Sequence, residues 1–173
     1  TKAKPFAEKE VEELSVLAKA DGITEMQSYD HAYYAEKLRK QKFDFNDEEL
    51  KPYFQLDKVQ EAVFGLAGKL FGLEFVETTD IQKYHADVKT YEIYESENFK
   101  ALLYADYHPR KGKRAGAWMT SFKNQYIKNG KNHRPHISVV CNFTKPTAET
   151  PSLLTFNEVT TLFHEFGHAL HGV

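Results

Sequence analysis

The feature that most constrains this chain lies near its C-terminal end. Thr155 followed by Glu158 is a capping box, in which a threonine hydroxyl and a glutamate carboxylate satisfy the backbone N–H groups that open a helix. After it Val159, Leu162, Phe163, Phe166, Ala169 and Leu170 keep helical spacing up to Gly172. The pattern predicts a helix from about Phe156 with one apolar stripe, and such a stripe needs a core to lie on. Several of these apolar residues bracket His164, Glu165 and His168, so the histidine face is expected to run through or beside that core.

The segment His164-Glu165-Phe166-Gly167-His168 fits His-Glu-x-x-His. On a helix, four residues turn about 400° and rise about 6 Å, so the two imidazoles share a face. Leaning together, they can bring two ring nitrogens to about 2.0–2.1 Å from one zinc ion. Glu165 lies about 100° round the helix, too far to reach that ion easily but near enough to meet a water on it. Zinc lowers the pKa of a bound water to about 7, so a carboxylate there can take its proton as the water attacks a carbonyl and later return it to a leaving amine. His171 falls on nearly the same face but about 10 Å further along the axis, which makes it a supporting or packing residue rather than a ligand. The competing reading is two core histidines in ordinary hydrogen bonds; the helical setting, well inside the cap, favours the metal.

Upstream, residues 5–20 and 28–41 read as amphipathic helices, the first stopped by Asp21-Gly22 and the second placing Tyr29, Tyr33 and Leu38 on one side. Asn46 with Glu49 resembles a cap for a short helix near Leu50. Asp57 is positioned to cap a stronger helix in which Val59, Ala62, Val63, Leu66, Ala67, Leu70 and Phe71 form a stripe ended by Gly72, and Gly65 and Gly68 leave room for a close neighbour. The texture then changes: 73–77, 88–95, 101–107 and 137–143 are short, β-branched and aromatic runs that read as four strands. In the last, Ile137, Val139, Cys141 and Phe143 point one way and Ser138, Val140 and Asn142 the other. Residues 111–135 are long for a loop, and are expected to be partly helical around 117–126 or functional. The predicted class is α+β, helix-rich: a helical part over 1–72, a small sheet and long loop over 73–145, and the motif helix over 155–172, together one fragment of a larger catalytic domain.

Composition excludes several functions. The net charge is −2 and the basic residues are dispersed, apart from Arg110, Lys111, Lys113 and Arg114, which read as a solvated loop; no nucleic-acid partner is expected. His133 and His136 flank Arg134-Pro135 and read as loop residues. No apolar run is long enough to span a bilayer, so no membrane partner is expected. The single cysteine, Cys141, reads as a buried inert thiol and fits a reducing, cytoplasmic setting. The absence of an initiator methionine at Thr1 and the end at Val173, close behind a strong helix, suggest a piece of something longer.

The run Leu162-Phe163-His164-Glu165-Phe166-Gly167-His168-Ala169-Leu170-His171 resembles the active-site helix of the thimet oligopeptidase and peptidyl-dipeptidase (oligopeptidase A-like) family of zinc metallopeptidases. The likeness extends to residues 28–39 with their paired Tyr33-Tyr34, to Tyr104-Ala105-Asp106-Tyr107-His108-Pro109-Arg110-Lys111-Gly112-Lys113, and to Val140-Cys141-Asn142-Phe143-Thr144-Lys145-Pro146. It implies a mostly helical peptidase with a small sheet beside a deep channel that admits short peptides. It also implies that His164 and His168 are ligands of one zinc ion and Glu165 the general base. The strand before Asn142 resembles the sheet edge along that family's cleft, so Ile137, Ser138, Val139, Val140, Cys141 and Asn142 are expected to pair with an extended substrate by strand addition. The family takes its third zinc ligand from a glutamate on a later helix, which this chain lacks. Zinc is therefore expected to bind the 173 residues alone weakly or not at all, and they are expected not to cleave peptides and to self-associate through an uncovered apolar helix side. A metzincin would need Gly three residues after the second His, where His171 stands. A rival reading is a non-catalytic binding or assembly module that retains the motif helix.

Overall fold

The computed structural model describes residues 2–43 and 47–173, and it divides into two compact units, Thr1–Asp47 and Glu48–Val173. The first unit is a helix pair, α1 Lys4–Ala20 and α2 His31–Phe43. Leu14 and Ala18 of α1 bury against Tyr34 of α2, with Leu17, Met26, Ala35 and Leu38 half-buried around them. The buried stripe of α2 therefore runs through Tyr34 and Leu38, one helical turn apart. Tyr29 and Tyr33 do not join it, being 82% and 64% exposed. Tyr29 precedes the helix, and Tyr33 sits a residue's rotation away from the face that meets α1.

A short helix, α3 Asp47–Leu50, leads into the second unit and is followed there by a 3-10 turn, Lys51–Tyr53. The cap expected from Asn46 lies outside the described residues. Helix α4, Leu56–Phe71, begins two residues earlier than a cap at Asp57 would put it: Gln55 is the N-cap, without a side-chain bond, and Asp57 lies in the first turn facing the helix dipole. Gly72 closes α4 in the left-handed region, φ 67°, and returns its N–H to the carbonyl of Gly68 at 2.9 Å. Gly68 is needed as glycine because a Cβ there would meet the Leu73 carbonyl oxygen at 3.1 Å, whereas Gly65 faces open space.

Seven strands follow rather than four. β1 Leu73–Thr78, β2 Lys89–Glu95, β3 Asn98–Asp106, β4 Trp118–Lys123 and β7 His136–Val140 form a five-stranded sheet in the order β1-β2-β3-β7-β4. β5 Tyr126–Lys128 and β6 Lys131–His133 form a separate hairpin. The segment expected to be partly helical around 117–126 is thus extended. A local signal for the hairpin is Asn129-Gly130, both with positive φ (53° and 73°), the favoured two-residue hairpin turn. Pairing is antiparallel except between β3 and β7, which run parallel.

One face of this sheet carries the core. Leu103 and Ala105 of β3, Ile137 and Val139 of β7, and Cys141 just beyond it bury with Leu56, Val59, Val63 and Ala67 of α4. They also bury against Leu162, Phe166 and Ala169 of the last helix, α5 Phe156–Gly172. Phe64 of α4 stacks on Phe75 of β1 at 4.2 Å, and Phe166 of α5 lies 5.6 Å from each ring. Such aromatic contacts are worth about 0.5–1.5 kcal/mol per pair beyond their buried area. They tie α4, α5 and the sheet into one body.

Candidate metal centre

Helix α5 begins as its sequence predicts. Thr155 Oγ1 accepts from the Glu158 N–H at 3.2 Å, and Glu158 Oε2 accepts from the Thr155 N–H at 2.8 Å. Leu162, Phe166 and Ala169 face the sheet, which turns His164 and His168 outward as exposed side chains. Glu165 lies between these faces and is 9% exposed. The histidine side of the helix thus lies beside the core rather than within it.

The two imidazoles converge. Their Nε2 atoms are 3.1 Å apart, with ring centroids 4.7 Å apart and planes at 87°. Two nitrogens each about 2.0–2.1 Å from one tetrahedral zinc would be separated by about 3.3 Å, so the pair is spaced as two ligands of a single ion need. Among the described residues, no group of three or more His, Cys, Asp or Glu is arranged to hold a metal. His171 is exposed and makes no third member of the pair.

Cys141 is buried within electrostatic reach of Glu165. Burial and, secondarily, the Glu165 carboxylate push the Cys141 thiol up to about 12, so it stays a neutral, apolar neighbour of that carboxylate. At its far end α5 closes on the sheet: a Cβ on Gly172 would meet Met119 Cε at 3.0 Å and Ile137 Cγ2 at 3.1 Å, which explains glycine there.

The expectation that an extended peptide pairs with Ile137, Ser138, Val139, Val140, Cys141 and Asn142 meets a physical obstacle. Strand β7 is interior, hydrogen-bonded to β3 on one side and to β4 on the other. Cys141 N–H bonds the Asp106 carbonyl, and Asn142 spends its side-chain amide on the carbonyls of Arg114 and Gly116. The edge strands of the sheet are β1 and β4, and of the two it is β4 that packs beside α5. Ile137 through Cys141 are buried on both faces, the mark of an interior strand, and their near-continuous apolar run is the signal of it in the sequence.

The basic run also differs from a solvated loop. Both terminal nitrogens of Arg110 bond the Asp106 carboxylate at 2.7 and 2.9 Å, and Lys113, its side chain 3% exposed, bonds it at 2.8 Å. Burial raises the Asp106 pKa, but the bonds from Arg110, Lys113 and Tyr84 outweigh it and hold the group near about 2. His133 stacks on Tyr126 in the hairpin at 4.5 Å, while His136 opens β7, so neither is a loop residue. Burial, helped by the Lys123 charge, lowers the His136 pKa.

Known proteins share this chain's sequence at length. The model of peptidase family M3 matches residues 1–173. Over 161 residues the chain is 47% identical to a dipeptidyl carboxypeptidase of Escherichia coli K12, covering 92% of this chain and 23% of that protein. It is 39% identical to the same organism's oligopeptidase A over 173 residues, 98% of this chain and 25% of that one. A probable cytosolic oligopeptidase A of Arabidopsis thaliana is 42% identical over 174 residues, covering 95% of this chain and 25% of the relative. The chain therefore spans about a quarter of the length of the curated relatives it matches, and no described helix is long and apolar enough to cross a membrane. From its first residue to its last it belongs to peptidase family M3, that of the thimet oligopeptidases and peptidyl-dipeptidases.

Proposed function

We propose that this chain is the portion of a zinc peptidase that supplies two metal ligands, His164 and His168, and the proton-transferring carboxylate, Glu165. The observation that carries the reading is the 3.1 Å approach of the two Nε2 atoms on the exposed side of α5, with Glu165 at their flank. Zinc, when bound, acidifies a water and polarises the carbonyl of a peptide bond. Glu165 is placed to accept a proton from an attacking water and to donate it to the leaving amine. A catalytic zinc normally has three protein ligands and an open position, and among the described residues no third ligand stands beside the pair, so the reading calls for one more.

The substrates are short peptides, in keeping with relatives named oligopeptidase and dipeptidyl carboxypeptidase. An extended peptide has a place to pair at the free edge of β4, beside α5, rather than at the saturated β7. A cytoplasmic setting suits the unpaired Cys141 and the relative named as a probable cytosolic oligopeptidase A. The test compares zinc content and peptide cleavage for the 173 residues, the longer protein, and the longer protein with Glu165→Gln. The short form is expected to hold zinc weakly and to cleave nothing. Glu165→Gln is expected to keep its zinc and lose cleavage by about 10²–10⁴-fold. Full activity in that variant removes Glu165 from its role, and unchanged zinc content in His164→Ala removes the metal assignment.

A further inference from the structure

The sheet face turned away from α5 holds a second concavity. Residues directly opposed across strands share a face, so the register sets Tyr104, Ser138 and Thr120 in one row and Asp106, Val140 and Trp118 in the next. After β3 the chain turns back over these rows. Lys113 uses all three ammonium protons there, on the Asp106 carbonyl (3.0 Å), the Asp106 carboxylate (2.8 Å) and the His108 carbonyl (2.8 Å). Arg110 clamps the same carboxylate, and the Asn142 amide holds the loop at Arg114 and Gly116. What remains open is a pocket of about 360 Å³, walled by Tyr84, Trp118 and Phe122 and floored by Ser138 and Val140, with Arg114 at its border.

Two independent features of this pocket ask for a ligand. The Ser138 hydroxyl is fully buried and has no hydrogen-bond partner among the described residues. A buried polar group left that way costs about 1–3 kcal/mol, and a native fold normally supplies a partner. The second feature is charge. Asp106 is the one carboxylate lining the pocket, against Arg110, Lys113 and Arg114. Residues 107–148 as a whole contain nine lysines and arginines and no aspartate or glutamate. Asp106 is consumed by Arg110 and Lys113, while the Arg114 guanidinium lies 4.9 Å over the Trp118 ring without a carboxylate partner among the described residues. A bare inorganic anion would leave the aromatic walls wet, and a neutral apolar molecule would leave Arg114 and Ser138 unanswered.

We propose that this pocket binds a small organic carboxylate with an aromatic or aliphatic body. The anion lies toward Arg114 and the Ser138 hydroxyl, directly or through one water, and the body lies against Trp118 and Phe122. The site is on the opposite side of β7 from the histidine pair, so it does not depend on the metal assignment.

Trp118 is the single tryptophan of the chain, and its emission reports the pocket directly. Titrating the protein with phenylacetate is expected to give a saturable change with a dissociation constant on the order of 1 mM, with phenylacetamide and acetate each about tenfold weaker. Arg114→Gln, read by calorimetry because it also touches the Trp118 ring, is expected to weaken phenylacetate binding about fivefold. Ser138→Ala is expected to weaken it about threefold while leaving the melting temperature of the free protein unchanged, since no internal bond is lost. A flat emission signal up to about 10 mM overturns the proposal. So does an equal response to the amide, or unaltered affinity in Arg114→Gln. A lower melting temperature in Ser138→Ala would show that the hydroxyl is satisfied within the fold and also count against the site. Emission that changes with protein concentration alone would assign the pocket to a second copy of the chain instead.

Discussion

Strand β7 has two faces held by different physics. Ile137, Val139 and Cys141 look toward α4 and α5 and are held by apolar burial, which is non-directional and tolerates repacking. Ser138 and Val140 look the other way, into a wall built by one buried carboxylate, two cations and a ring of aromatics. The first face anchors a helix whose outer side carries the histidines. The second fixes a loop. A face built on hydrophobic area loses stability gradually as area is removed, whereas a face built on a buried ion cluster fails abruptly when one charge loses its partner.

That contrast can be broken most severely at Asp106. Asp106→Ala leaves the buried Lys113 ammonium and the half-buried Arg110 guanidinium without a counter-ion and is expected to destabilise the fold by about 3–5 kcal/mol in urea titrations. On the inner face, Leu103→Ala leaves a cavity under α5 and is expected to cost about 3 kcal/mol by the same measurement. A smaller loss for Asp106→Ala than for Leu103→Ala would end the distinction between the faces.

Protonation sharpens the comparison without a change of shape. The Asp106 pKa is depressed in the folded protein, from 3.8 to about 2. Its contribution is therefore complete above pH 4 and is lost as pH falls through about 2, amounting to about 2 kcal/mol. The stability gap between wild type and Asp106→Asn is expected to narrow over that interval, while the gap between wild type and Leu103→Ala stays constant. The smallest effect belongs to the helix start. Thr155→Ala removes the reciprocal cap and is expected to cost about 1 kcal/mol, lowering the melting temperature with both faces of β7 otherwise intact.

Features that depend only on near neighbours in the chain are legible from the residues themselves. The capping box, the apolar stripe of α5, the Gly72 stop of α4 and the helical pairing of His164 with His168 all rest on residues within about one turn of each other. Local rules suffice for them. The segment 111–135 is of another kind. β4 is extended because it bonds to β7, some fifteen residues further along the chain, and nothing within Trp118–Lys123 alone declares that partner. The Asn129-Gly130 turn is a local signal, but only for the hairpin beside it. Tyr33 and Tyr34 likewise compete for one helix face, and only the packing of α1 selects Tyr34.

The amino-acid sequence by itself determined which residues lie together on α5, because a helix sets its own geometry through bonds that never leave the segment. Only the tertiary structure decided which strands lie at the sheet's edges, that Cys141 is buried near enough to feel the Glu165 charge, and that Asp106 gathers Arg110 and the buried Lys113. Strand partners and burial are relations between distant parts of a chain, and their energies exist only after those parts have met.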